Sequence, residues 1–415
     1  MIAGGERIAI IGAGIVGSAL AFRLAERGLA VTLFDARPPG TLGPSRGNAG
    51  HIAGSDIFPL SHPGIAIEAL GMLADGDGPL KIDPRYLPTL APWLATFLRT
   101  GTGKRFEAAT RAISLLCDGA VDAAEQLFAD AGMPDCFRRA PALYVYDTER
   151  SLAAAGAGWQ RKREAGHTST PVGRDELRDI EPVLADRFAG AVLSHDWGQV
   201  SDPFEAVEGL FAAARGHGAD FRQARVEALL PSDAGLLVRA EGRDEPFSRV
   251  VVAAGIRSRD FAAQVGEKLP VTAEGGYNLT YPSPGVAVDH PVVFADHGLV
   301  STSLRPGLRI GGWAHYAGPD APFRPIFHDR IATIAGRFFP GLDQGREIRW
   351  AGRRPSMPDS TPVISRSTAD PRLYYATGHG HYGLTWAART AEIMTALMDG
   401  DEDVAAPFSI RRFNP

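Results

Sequence analysis

RIAIIGAGIVGSALAFRLAERGLAVTLFD, residues Arg7–Asp35, decides the architecture of this chain. Ile8–Ile11 is a short apolar run, the pattern of a strand buried on both faces. Gly12, Gly14 and Gly17 follow in GxGxxG spacing. A helical pattern runs from Ile15 to about Arg27, and Gly28 is placed to stop it. Val31–Phe34 is a second buried strand, with Asp35 at its end. Gly12 permits the tight turn, Gly14 lets the backbone approach a pyrophosphate, and Gly17 lets helix and strand pack closely. The helix N-terminus at Ile15 and Val16 offers unpaired N–H groups to phosphates. Asp35 can accept from a ribose hydroxyl. Strand, helix, strand and acid in register form a dinucleotide fingerprint. The competing reading is a glycine-rich turn in an ordinary α/β domain.

The chain has 415 residues, enough for two domains or one large α/β domain. Its net charge is −5 and no segment concentrates Lys and Arg, which argues against a nucleic-acid partner. Cys117 and Cys136 are too few for a disulfide framework or a metal site. Cys117 lies in an apolar helical run and reads as a small buried hydrophobe. A reducing, cytoplasmic compartment is expected. The first apolar run is the opening strand, not a signal peptide. No run of eighteen apolar residues spans a membrane, while peripheral contact at its inner face stays open.

After Asp35 the pattern leaves a plain nicotinamide-dehydrogenase plan. Ala36–Gly54 is polar and flexible, and Gly47-Asn48-Ala49-Gly50 suits close approach to a flat ligand. A surface loop is the alternative. Helices are expected at 87–97, 105–131, 151–165, 177–182, 204–215, 326–338 and 384–398. Asp202 is placed as N-cap and Pro203 as first helical residue. Strands are expected at 143–146, 191–194, 219–230, 235–240, 248–254, 276–281, 298–303, 308–311 and 373–376. Parallel elements thus sit at the start, around 199–260, and at the end. The interleaving predicts two discontinuous domains with a ligand cleft between them: 1–60, 195–272 and 340–415 around the nucleotide, and 61–194 and 273–339 around the substrate.

Two further segments carry chemistry. In Trp350–Ile364, WAGRRPSMPDSTPVI, Pro355 biases Arg354 toward extended backbone. Arg353 and Arg354 should then point in opposite directions, one of them offering a guanidinium to a carboxylate. A surface pair in salt bridges is the alternative. In Ala376–Ala387, ATGHGHYGLTWA, a strand enters a glycine turn and a helix start. N–H groups of Gly383, Leu384 and Thr385 would stabilise negative charge there. His379 and His381 have no third or fourth ligand nearby, so no metal is expected.

These pieces, with SRGNAGHIA, GQVSDP and VVVAAGIRS between them, resemble the FAD-dependent D-amino acid oxidase superfamily over nearly the full length, and within it the bacterial D-amino acid dehydrogenases. The resemblance implies a mixed α/β fold: a Rossmann-like FAD-binding domain of the glutathione-reductase type, and a discontinuous substrate domain with a mostly antiparallel sheet. It implies non-covalent FAD. Gly12, Gly14, Ile15, Val16, Gly17, Asp35, Ala36 and Arg37 would hold the ADP half, and Ser45 the pyrophosphate. Asn48, Ala49, Gly50, His51 and Ile52 would line the isoalloxazine. Val226 would pair with adenine, and Ala254 and Gly255 would close the channel. Gly380, His381, Tyr382, Gly383, Leu384 and Thr385 would meet the flavin O2 edge. Arg354 matches the anchor for the substrate carboxylate, and Tyr277 a position facing the active site. His51 and His379 are candidate bases, each with a structural hydrogen bond as the alternative. Gly312-Trp313-Ala314-His315-Tyr316 departs from the family's frequent glutamate, implying a less cationic or more aromatic pocket.

The implied reaction is oxidative deamination of a D-amino acid, with hydride leaving Cα for flavin N5. The imino acid hydrolyses to a 2-keto acid, and electrons pass to a quinone, a carrier protein or O2. D-Proline or cis-4-hydroxy-D-proline oxidation, and glycine or sarcosine oxidation, are alternatives on the same fold. An NAD(P)-dependent oxidoreductase, an RNA-modifying flavoprotein or a non-catalytic FAD-binding subunit are readings of other classes.

Overall fold

The computed structural model describes residues 6–76, 78–233 and 235–414. Its nucleotide half is a six-stranded sheet in the spatial order Asp220–Gln223, Ala30–Asp35, Arg7–Ile11, Arg249–Val252, Leu373–Thr377, Val363–Arg366. The first five run parallel and the last antiparallel. The helix Ile15–Glu26 is buried on most of its surface because it packs against both Pro203–Gly216 and Ala387–Met398. That double burial explains its apolar residues on nearly every face. Asp202 caps Pro203–Gly216 by accepting from Phe204 N–H at 2.9 Å, with Pro203 at the first helical position.

The second half is built on a mixed, mostly antiparallel sheet. Ile348–Ser356, Thr272–Tyr281, Gly307–Tyr316, Leu299–Leu304 and Val292–Phe294 lie side by side, and the sheet continues through Ala142–Tyr146, Gly190–Ser194 and Ser169–Gly173. The helix Pro325–Phe338 covers one face, burying Phe327, Ile331 and Phe338 against Tyr277, Leu279 and Phe294. A small third sheet joins His51–Ala53, Trp197–Val200 and Phe137–Arg139.

Four sequence readings need correction. The helix expected over 105–131 is two helices, Gly103–Cys117 and Ala120–Asp130, because Gly119 takes φ +67°. The strand expected over 219–230 is Asp220–Gln223 at the edge of the parallel sheet and Val226–Ser232 in a separate antiparallel sheet. That sheet gains Arg243–Phe247 through a turn with positive φ at Glu241 and Gly242. The last helix begins at Ala387, not Leu384. The boundary drawn at 340 falls short: Ile348–Ser356 pairs with Thr272–Tyr281, so the chain returns to the nucleotide layer only after Ser356. No helix among the described residues is long and apolar enough to cross a membrane.

Candidate active site

A cavity of about 1080 Å³ opens at the C-terminal ends of the parallel strands, the place where doubly wound sheets bind nucleotides. At its floor Gly12, at φ +112°, admits no Cβ: one would stand 2.4 Å from Ala253 O. A Cβ on Gly17 would stand 1.9 Å from Gly12 O, so Gly17 seats the helix against the turn rather than lining the cavity. Asp35 Oδ2 accepts from Ala13 N–H at 2.9 Å and Oδ1 from Arg37 N–H at 3.1 Å. The acid is thereby held at the mouth of the glycine turn. Ser45 Oγ accepts from Ile15 N–H at 3.1 Å, standing at the helix N-terminus where a pyrophosphate would sit.

Gly14, Ile15, Val16, Ala36 and Arg37 line this cavity, with Ser45 and Asn48 beside them. Val226, Ala254 and Gly255 line it from the opposite wall. His379, Gly380, Gly383 and Leu384 close its far end. Among the described residues nothing accepts from the N–H groups of Gly383, Leu384 and Thr385. A long glycine-floored cleft, an acid at the second strand and free donors at the far end fit a dinucleotide joined to a flat, electron-accepting ring.

Other residues singled out by sequence, apart from His379 at the far end, stand around the cavity rather than in it. Ala49 is half-buried, and Gly50, at φ +82°, donates to Asn48 Oδ1 at 2.8 Å. His51 and Ile52 belong to the third sheet. His51 Nε2 bonds Thr302 Oγ1, and its ring lies edge-on to Trp197. Burial pushes its imidazole down to about 4 despite an opposing pull from Asp56. His379 Nε2 pairs with Thr390 Oγ1 at 3.0 Å, and burial pushes it down to about 3. Both histidines thus hold structural hydrogen bonds and resist protonation, a correction to their candidacy as bases. Thr385 Oγ1 accepts from Ala53 N–H and donates to His51 O, tying the terminal segment to the third sheet. Tyr382 stacks on Trp386 with centroids 4.7 Å apart. Tyr277 is buried in the substrate-half core, its hydroxyl 3.0 Å from His315 Nδ1. Its ring packs edge-on against Phe327 and His328 of the helix Pro325–Phe338 and against Phe323, which lines the cavity, while Tyr277 itself is not part of the lining.

Arg353 and Arg354 diverge as strand geometry requires. Arg353 lines the cavity, its guanidinium over the Phe323 ring and bonded to Ala321 O. Arg354 lies on the other face, directly across from Glu274 in the neighbouring strand. Its Nη1 donates to Glu274 Oε1 at 2.8 Å and to Trp313 O at 2.7 Å. Nη2 donates to Gly312 O at 3.3 Å. A bulge makes this possible: Gly275 pairs with His315 but Tyr277 with Gly312, and Trp313 takes φ +61°. The bulge turns two carbonyls toward one guanidinium. The Trp313 and His315 rings pack on Phe327 in the core rather than lining the cavity, and the Tyr316 hydroxyl reaches the Arg354 cluster, donating to Glu274 Oε2.

Glu274, Arg309 and Asn278 escaped the sequence reading. Glu274 is 1% exposed. Burial pushes its carboxyl up, but His381, Arg354 and Ser356 together hold it well below the usual range. Arg309 is buried and donates to Asn48 O at 2.6 Å and Arg46 O at 3.2 Å, while Asn278 Nδ2 donates to Gly47 O at 2.8 Å. These two side chains fasten the flexible loop to the large sheet. Strand alternation marks them as facing the loop side, but only the pairing register says what they meet.

The family model for FAD dependent oxidoreductases (DAO) matches residues 7–397. The chain belongs to this family of FAD-dependent oxidoreductases. It is 33% identical over 418 residues to a D-amino-acid oxidase of Bradyrhizobium diazoefficiens, covering 99% of each chain. It is 31% identical over 427 residues to a D-amino acid dehydrogenase of Cereibacter sphaeroides, covering 98% of this chain and 95% of the relative. Glycine oxidase from Geobacillus kaustophilus shares the fold at TM-score 0.73 and 21% identity, with 98% of each chain covered. L-Proline dehydrogenase from P. horikoshii does so at 0.74 and 18%, covering 100% of this chain and 99% of that one. FAD is therefore the cofactor of this chain.

Proposed function

We propose that this flavoenzyme oxidatively deaminates a D-amino acid, with Arg354 as the anchor of its carboxylate. The observation that supports the reading is a guanidinium fixed by Glu274 and two carbonyls of the bulged strand, one residue before Pro355, which lines the cavity. Its side chain remains 21% exposed, and a guanidinium is the group that matches a carboxylate in bidentate geometry. Bound FAD supplies a two-electron acceptor for the hydrogen leaving Cα. Arg354 fixes the substrate's reacting carbon against it, and positioning of this kind is worth about 7 kcal/mol or more of barrier. The cavity-lining backbone and side chains of Asn48, Gly380, Gly383 and Leu384 surround the reacting end. The imine product hydrolyses in water to a 2-keto acid.

The same reading assigns 61–194 and 273–339, extended by the strand to Ser356, to the substrate half. Electrons leave to a quinone, a carrier protein or O2, and the protein works in the cytoplasm with peripheral contact at the inner face of the membrane. Similarity to the two relatives named for D-amino acids supports the donor class over glycine, sarcosine or D-proline. The test is anaerobic mixing with D-, L- and N-methyl amino acids and D-prolines, followed near ~450 nm, where oxidised flavin absorbs. Bleaching by D-amino acids and not by their L-enantiomers is expected. A yellow protein that none of them bleaches overturns the reading.

A further inference from the structure

His381 and Glu274 form a second device on the same face as Arg354. Gly380 N–H donates to Pro355 O at 3.0 Å, and His379 bridges Ser356. The terminal glycine turn is thereby hooked onto the end of the strand that carries Arg354. His381 follows directly, its carbonyl accepting from Asn48 Nδ2 at 3.4 Å. Its Nδ1 stands 3.6 Å from Glu274 Oε1, the same oxygen that accepts from Arg354 Nη1. Nδ1 is buried and has no hydrogen-bond partner among the described residues, with Glu274 Oε1 at ion-pair distance from it. Yet the side chain is 31% exposed, so its open edge lies elsewhere on the ring.

We propose that His381, backed by Glu274, is the base that takes the proton from the substrate ammonium. Glu274 is a positioning residue for both its neighbours: it holds the guanidinium that binds the carboxylate and the imidazole that meets the nitrogen. An imidazole with Nδ1–H turned to a carboxylate carries its lone pair on Nε2, the logic by which a third group orients a base. The 3.6 Å gap is of the kind that closes when substrate binds.

The step balances. An amino acid in neutral water carries an ammonium, which has no lone pair to form C=N. One N–H bond breaks, its electron pair stays on nitrogen, and the proton joins His381 Nε2. The Cα–H electron pair then leaves with its hydrogen to FAD while nitrogen shares its pair with Cα. The substrate is oxidised by two electrons, FAD is reduced by two, and the imidazolium returns its proton to solvent. The titratable groups facing His381 are Glu274 from Thr272–Tyr281, Arg354 from Ile348–Ser356, Tyr316 through Glu274, and the adjacent Tyr382. Glu274 is the anion among them and Arg354 the opposing cation. His51 and His379 are spent on Thr302 and Thr390.

The inference rests on the amino acid reading above, so the experiment separates the two. Anaerobic flavin reduction by a D-amino acid is measured against pH for wild type, His381→Asn and Glu274→Gln, with His381→Gln as the second variant if the first loses FAD. Wild type should show a rate inflection that His381→Asn abolishes, with reduction at pH 7 slowed about 100-fold or more. Binding of a carboxylic acid lacking the amino group should be unchanged in His381→Asn. Glu274→Gln should slow reduction and raise KM, since it loosens both the imidazole and the guanidinium that Glu274 positions. A His381→Asn enzyme with the wild-type profile overturns the base and leaves the D-amino acid reading intact. If no amino acid reduces wild type, that reading falls, and ring-labelled histidine NMR of the holoenzyme decides the dyad. A resonance lost in His381→Asn should change its chemical shift in Glu274→Gln; an unmoved resonance overturns the pairing.

Discussion

Arg354 is held by one buried carboxylate and two carbonyls, so its removal acts twice. Arg354→Leu takes away the carboxylate anchor and the guanidinium partner of buried Glu274, leaving it the hydroxyls of Ser356 and Tyr316 and the His381 ring. KM for the D-amino acid should rise about 100-fold or more and kcat should fall. Stability should drop by about 3–5 kcal/mol. Arg354→Lys should recover part of the stability and little of the affinity, because an ammonium does not reproduce the planar fork. Unchanged kinetics would remove Arg354 from the site. His51 and His379 set a pH dependence of folding. Their folded pKa values, about 4 and about 3, lie below the ~6.5 of an exposed histidine. The unfolded chain therefore takes up protons first. Each group's contribution is whole above pH ~6.5 and is lost as pH falls toward its folded value, by about 1.4 kcal/mol per pH unit. Denaturant midpoints should fall between pH 6 and 4.5, and His379→Gln should flatten that slope even though it is less stable at pH 7. An equal slope would contradict the burial argument. The pair Arg353-Arg354 could be singled out from a local motif, since Pro355 biases the backbone before it, and the resemblance then chose Arg354. Glu274 could not, because its meaning lies in a partner 80 residues away in sequence.

The strand pair Thr272–Tyr281 and Ile348–Ser356 builds the seat for that guanidinium out of small residues. Gly276 faces Gly352 across the ladder, and a Cβ on Gly276 would stand 2.5 Å from Arg354 Cζ. The obstacle is the end of a flexible side chain, not backbone, so Gly276→Ala should fold with its melting point within a few degrees of wild type. Arg354 must then leave its seat, and a displacement of about 1 Å can cost a factor of ~100 in rate. Gly276→Ala should therefore lose kcat/KM while keeping bound FAD and secondary structure; wild-type kinetics would show that the seat is not needed. Elements were legible where a local signal fixed them, as at Asp202-Pro203. They were misread where the signal ran through a break. Apolar spacing continues across Gly119 and hides the division of one helix into two, because glycine takes a left-handed conformation that periodicity does not register. Arg243–Phe247 carries no apolar alternation and is a strand because Gly235–Ala240 pairs with it.

At the scale of the whole molecule, two layers must hold one long cofactor between them, and Arg309 is a fastening between the layers. The glycine turn and its two flanking strands were readable from Arg7–Asp35 because strand, helix and second strand form one unit that is contiguous in sequence. The large sheet was not, since its neighbours come from distant segments and Ile348–Ser356 returns to it after the expected boundary. Arg309 rises from this sheet through Thr280 Oγ1 at 3.1 Å and ends on the carbonyls of Arg46 and Asn48, in the loop that borders the cavity. Burial pushes its guanidinium down to about 10, which leaves it charged at neutral pH. Arg309→Met keeps much of the volume but leaves both carbonyls without that donor, and bonds to a charged group are worth about 1.5–3 kcal/mol. The loop should then detach from the sheet more readily than the sheet unfolds. FAD affinity should fall about 10-fold or more, the equivalent of ~1.4 kcal/mol. On heating, flavin fluorescence should rise at a lower temperature than tryptophan emission reports unfolding, whereas in wild type the two should coincide. Arg309→Lys, which keeps the charge with a narrower reach, should fall between them. Coincident release and unfolding in Arg309→Met would mean that the loop is held by the cofactor itself and that the clamp contributes nothing to retaining it.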